Sequence, residues 1–146
     1  MDDKPMLKLL IATDGSDDAL RAVRHVVDLA ARRITVEAVV CNVQPEVMTG
    51  EIGPVSSIEN AERNRTLAAQ AAFDAALALL REAGVHAVAH EATGEAAAEI
   101  VAAADAYGCD GIVMGRRGLG RFASLVGSSV SSAVVRKAHV PVTLVK

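Results

Sequence analysis

Aromatic side chains are nearly missing from this sequence: Phe73, Phe122 and Tyr107 are the whole set, and tryptophan is absent. A surface that stacks single-stranded nucleic-acid bases needs aromatic faces, so the composition argues against that mode. An excess of positive charge is also lacking. The formal net charge is −3, which argues against a general binder of nucleic acid or acidic membrane. Long hydrophobic runs are lacking too. The most apolar stretch, residues 67–80, is broken by Gln70 and Asp74 and is too short to span a bilayer. The amino terminus, MDDKPMLKLLIATDGS, carries acidic residues where a signal peptide carries lysines, and its apolar run is too short for an h-region. A cytoplasmic protein is expected. Cys41 and Cys109 are the only cysteines and have no metal-type spacing, so buried, reduced thiols are expected.

What is present is a chain of 146 residues of which 51% are hydrophobic. That fits one domain, residues 1–146, with a core of Leu, Val, Ile and Ala. Residues 8–13 (KLLIAT) are a short apolar run stopped by Asp-Gly-Ser, a buried strand and its turn. Ser16 is a suitable N-cap, with Asp17 and Asp18 in the first helical turn. Leu20, Val23, Val27 and Ala30 or Ala31 continue at helical spacing, and residues 34–43 are β-branched enough to predict a second strand. Residues 44–57 show no period and are long for a connection, which suits a mobile or functional loop. Ser56 and Glu59 have capping-box spacing before a helix that runs to Gly84.

Residues 85–92 alternate, with Val85, Ala87 and Ala89 on one face and His86, Val88 and His90 on the other. A half-exposed strand near a sheet edge is expected. Thr93 is the expected cap of a third helix through Ile100 to Tyr107, closed by Gly108. Residues 110–115 form a fourth strand, a helix ends near Lys137, and residues 141–146 form a fifth strand. Strands alternating with helices predict a parallel sheet covered on both faces. Ligands of such sheets bind past the carboxyl ends of strands, where strand order reverses.

Chemistry gathers at two strand ends, Thr13-Asp14-Gly15-Ser16 and Gly115-Arg116-Arg117-Gly118. The second opens MGRRGLGRFASLVGSSVSSAVV, where glycines at 115, 118, 120 and 127 alternate with arginines and precede serines. Glycines let main-chain N–H groups approach phosphate oxygens, and a helix amino terminus adds further donors. Serine hydroxyls can bind phosphate or hold a metal ion. Gly118 to Ala123 fits a relaxed dinucleotide fingerprint, but it comes after the fourth strand and lacks the later acidic residue; no P-loop Gly-Lys-Ser/Thr occurs. On spacing alone, a phosphate cradle and a bare strand-to-helix turn both remain open.

These segments together resemble the universal stress protein family over nearly the whole chain. LLIATDGSDDALRAV, CNVQP, ATGEAAAEIVAAADAYGCDGIVMGRRG and GSSVSSAVVRKAHVPVTLVK carry the resemblance. It implies an α/β fold with a five-stranded parallel sheet, helices on both faces, Rossmann-like (adenine nucleotide alpha hydrolase-like), with strand order 3-2-1-4-5. It also implies a homodimer joined through the last strand, residues 141–146. In the ATP-binding branch the motif is G-2x-G-9x-G-[S/T]. Gly115 and Gly118 match its first glycines, and Gly127 with Ser128 resembles its closing pair; Ser128 with Ser129 is the alternative. Asp14 matches the family's acidic residue at the nucleoside, and Thr13, Val43 and Met114 match the pocket wall. Ala12 and Arg117, beside these positions, complete the expected set. The expected ligand is ATP, with Mg²⁺. The chain departs from the motif by one residue, because eight residues separate Gly118 from Gly127. A residue lost from a helix would rotate all later residues of that helix by about 100° and shift them by about 1.5 Å.

Other residues admit plainer roles. Asp14 suits turn chemistry as well as ligand binding. Arg116, Arg117 and Arg121 can neutralise phosphate or simply face solvent. His86 and His90 share a strand face but stand too far apart to favour a metal, and Ser128 has no evident histidine base. The expected function is a stress-response protein that binds ATP as a regulator or sensor. A dimeric interaction module that has lost its nucleotide, and a slow ATPase, are the rival readings.

Overall fold

The structure is a computed structural model, and it describes residues 6–46, 55–116 and 130–146. Strands and helices alternate as β1 (Leu7–Ala12), α1 (Asp17–Ala31), β2 (Val36–Gln44), α2 (Val55–Glu82), β3 (His86–Thr93), α3 (Ala96–Ala106), β4 (Gly111–Gly115), α4 (Val130–Lys137) and β5 (Val142–Val145). All five strands pair in parallel in the order β3-β2-β1-β4-β5. This is the order the family resemblance implied. β3 lies at an edge, as its alternation predicted.

Strand periodicity sorts the core into two layers. Leu9 and Ile11 of β1, Ala38 and Val40 of β2 and Val113 of β4 pack with Val23 and Val26 of α1 and with Phe73, Ala76 and Leu80 of α2. The alternate positions, Leu10, Ala12, Val39, Cys41, Val43, Ile112 and Met114, pack with Ile100, Val101 and Ala104 of α3 and Val134 of α4. Central strands buried on both faces are therefore continuously apolar. Small alanines let helices approach the sheet closely and compensate for the shortage of aromatic bulk.

Four local expectations change. β2 starts at Val36, not at Ile34, because Arg33 adopts φ 65 and the Ile34 N–H closes the helix end on Leu29 O at 3.2 Å. Thr93 does not cap α3. It forms the last rung of β3, opposite Gln44, and Gly94 turns the chain at φ 142. Glu95 is the cap instead, its carboxylate accepting from the N–H groups of Ala97 and Ala98 at 3.3 and 2.8 Å. Ser56 is not a cap, because it already lies within α2 as its second residue. On the expected face, Val85, just before β3, and Ala87 are buried, but Ala89 in mid-strand is exposed. Gly84 and Gly108 do adopt positive φ, at 75 and 66, just past the helices that precede them. Of the expected loop, Gln44 closes β2, residues 55–57 belong to α2, and residues 47–54 lie outside the described residues.

Candidate functional site

The site begins where β1 ends. Thr13 and Asp14 are polar, yet they are 0% and 4% exposed. Their hydrogen bonds show why the chain turns there. The Thr13 N–H donates to Cys41 O at 2.9 Å, the Gly15 N–H to Thr13 Oγ1 at 3.1 Å and the Ser16 N–H to Asp14 Oδ1 at 2.9 Å. Side-chain oxygens thus replace the strand partners lost at the turn. Gly15 sits at φ 84, a conformation that favours glycine. Ser16 then caps α1, its hydroxyl accepting from the Ala19 N–H at 3.2 Å. The sequence-predicted cap is therefore in place.

Asp14 has a second oxygen. Its Oδ2 is buried and has no hydrogen-bond partner among the described residues. Buried polar atoms in native proteins nearly always have partners, and an unpartnered one costs about 1–3 kcal/mol. The turn accounts for one carboxylate oxygen and leaves the other without a donor among the described residues.

Strand order reverses between β1 and β4. Their pairing sets Leu10 opposite Ile112 and Ile11 opposite Val113. The Thr13-Asp14 turn and the Gly115 end of β4 therefore lie side by side at the carboxyl ends of adjacent strands. Ala12, Val43 and Met114 are buried in the same apolar layer, on the face that carries α3 and α4. Beyond Gly115, the Arg116 N–H donates to Val145 O at 2.9 Å, which ties the start of the glycine segment to β5. Of the expected site residues, Ala12, Thr13, Asp14, Val43, Met114 and Gly115 are thus brought to this strand-end region. Arg117, Gly118, Gly127, Ser128 and Ser129 lie outside the described residues, as does Arg121.

Sequence reasoning missed Asn42 and Gln44. Asn42 is 1% exposed. Its Nδ2 donates to Thr13 O at 2.8 Å, and its Oδ1 accepts from Gln44 Nε2 at 2.6 Å. The Gln44 carbonyl accepts the Gly94 N–H at 3.0 Å. The available signal was two amides at alternate positions closing an otherwise apolar strand, VVCNVQ.

The surroundings set the electrostatics. The Ala98 N–H holds the Glu95 carboxyl below its usual value, and Lys137 Nζ, 3.4 Å from Oε2, adds to this. Burial pushes the Cys41 thiol up to about 12, with Glu99 and Cys109 contributing, and burial raises Cys109 as well. Burial thus disfavours the thiolate form of both. A pocket of about 200 Å³ near the ends of β4 and β5 is lined by Asp18, Arg21, Arg116, Val145 and Lys146, with Asp18 and Arg21 ion-paired. His90 Nδ1 meets the Tyr107 hydroxyl at 3.2 Å. Among the described residues, no three His, Cys, Asp or Glu side chains group to hold a metal, and no helix is long and apolar enough to cross a membrane.

A parallel α/β sheet with a buried acidic turn at its switch point defines the class: a Rossmann-like α/β protein. The chain belongs to the universal stress protein family, whose family model matches residues 6–146. It is similar to the solved structure of hypothetical protein MJ0577, with 28% identity and a TM-score of 0.76 over 95% of this chain and 94% of that one. It is also similar to the universal stress protein from Archaeoglobus fulgidus in complex with dAMP, with 27% identity and a TM-score of 0.62 over 97% and 98% of the two chains. A third similar structure is a universal stress protein in complex with cAMP, with 25% identity and a TM-score of 0.60 over 95% of each chain. No curated protein sequence matches the chain.

Proposed function

We propose that the protein binds an adenine nucleotide in the crevice between β1 and β4 and acts as a nucleotide-dependent regulator or sensor in a cytoplasmic stress response. The observation that carries this is Asp14 Oδ2, a buried carboxylate oxygen at the switch point without a partner among the described residues. A nucleoside offers what that oxygen lacks, through ribose hydroxyls and the adenine amino group. Ala12, Val43 and Met114 supply an apolar wall suited to a flat base. Relatives crystallised with dAMP and cAMP support the same ligand class.

The ligand is ATP, with Mg²⁺. Gly115, Gly118 and Gly127 present main-chain donors to its phosphates, Arg117 adds charge, and the hydroxyls of Ser128 and Ser129 serve phosphate or metal. The protein is a homodimer joined along the β5 edge. Leu144, 40% exposed, and Val135 on the neighbouring α4, 51% exposed, are the apolar surface that such pairing would cover. Binding alters the surface presented to a partner. Slow hydrolysis is secondary, because the carboxylate assigned to the site, Asp14, serves the nucleoside in this reading.

The shortened motif favours one rival, a dimeric module of the same fold that has lost its nucleotide. Calorimetry of the purified, folded protein with ATP and AMP separates the two. Binding, weakened by both Ser128→Ala and Gly118→Val, supports the site. Absence of heat and of thermal shift at millimolar nucleotide would refute it.

A further inference from the structure

Asn42 is buried beside the crevice but belongs to none of the ligand-contacting positions. Its amide has a task set by the end of the β1–β2 ladder. The last paired residues are Ala12 and Cys41, and the Thr13 N–H still reaches Cys41 O. The chain then turns toward α1, so the Thr13 carbonyl leaves the ladder while remaining buried. A buried carbonyl needs a donor. Asn42 Nδ2 supplies it at 2.8 Å, in place of the next main-chain rung.

The amide is oriented, because both ends are engaged. Gln44 Nε2 donates to Asn42 Oδ1 at 2.6 Å, which turns the NH₂ end toward Thr13. Gln44 is itself fixed through its carbonyl, which holds the Gly94 N–H of the neighbouring strand end at 3.0 Å. The carbonyl that Asn42 holds belongs to the peptide joining Thr13 to Asp14. The orientation of that peptide plane sets where the Asp14 side chain departs from the backbone. With Oδ1 committed to the Ser16 N–H, it also sets where Oδ2 points.

We propose that Asn42 is a positioning residue: its amide, braced by Gln44, locks the Thr13–Asp14 peptide and so aims the buried Asp14 carboxylate into the crevice. The ligand consequence rests on the adenine-nucleotide proposal above; the effect on the turn does not. An apolar residue of similar size would fill the space and leave the Thr13 carbonyl unpaired. An aspartate would present oxygen to oxygen.

Asn42→Asp changes one group at nearly constant shape and is the direct test. Gln44→Leu removes only the brace and is the milder companion should the first variant fail to fold. Amide hydrogen exchange is compared at Gly15 and Ser16, in the turn, and at Val26, inside α1, and AMP affinity is measured by calorimetry. The expected result is turn exchange faster by about tenfold or more relative to Val26 and AMP binding weaker by about tenfold or more in Asn42→Asp, with a smaller change of the same kind in Gln44→Leu. A packing role alone would speed all three amides together and leave AMP affinity unchanged while the protein is folded; that result overturns the proposal. Unaltered turn exchange overturns it as well. If the wild-type protein binds no AMP, the nucleotide proposal fails, and the exchange pattern alone decides whether Asn42 positions the turn.

Discussion

Gly15 lies against Ala72: a Cβ on the glycine would stand 3.4 Å from the Ala72 Cα and 3.5 Å from its Cβ. These are ordinary contact distances, so space alone does not require glycine. The backbone does, because φ is 84. Gly15→Ala is therefore expected to destabilise the protein by about 1–2 kcal/mol, through left-handed strain and not through collision. Urea unfolding of the two proteins measures it. A longer side chain at position 15 would also push on α2, so Gly15→Val is expected to cost more than Gly15→Ala.

Asp14→Asn separates binding from stability. The substituted side chain keeps an oxygen for the Ser16 N–H but loses the charge of the unpartnered end. The ligand-free stability is expected to change by less than about 1 kcal/mol, whereas adenine-nucleotide affinity falls by about tenfold or more. Thermal unfolding with and without AMP reads both quantities. A large loss of stability without ligand would make Asp14 a structural residue only.

The cysteines predict a dependence on alkaline pH. In the folded protein Cys41 holds its proton up to about 12, against an ordinary value of 9.0. The unfolded chain releases that proton at lower pH, so folding stability contributed by the protonated thiol is complete below about pH 9 and declines as pH rises toward 12. Urea unfolding at about pH 8 and about pH 10 is expected to show a loss. Cys41→Ala should reduce that slope without abolishing it, because burial raises Cys109 in the same sense. At about pH 8 a thiol reagent is expected to label neither cysteine until the protein unfolds.

The fold was legible because its cues are local and repeated. Ser16 caps α1, Gly84 and Gly108 stand just past the ends of their helices, and the apolar runs of β1, β2 and β4 mark them as interior strands. Boundaries were less legible where neighbours compete. Glu95 displaced Thr93 as a cap because pairing with Gln44 drew Thr93 into β3. Ile34 stayed out of β2 because the end of α1 claimed its N–H. At the site, Asp14 was recognisable from its place at a strand end, whereas the amides of Asn42 and Gln44 closing an apolar strand did not reveal that Asn42 donates to the Thr13 carbonyl.

By itself, then, the order of residues determined alternating elements, two apolar faces per inner strand and a turn at Asp14, since each depends on neighbours a few positions away. Only tertiary structure decided that β1 lies beside β4, that Thr13 finds a donor 29 residues along the chain, and that one oxygen of Asp14 is buried without a partner among the described residues. Those facts depend on desolvation and on contacts between distant segments, which exist only once the sheet has assembled and water has left.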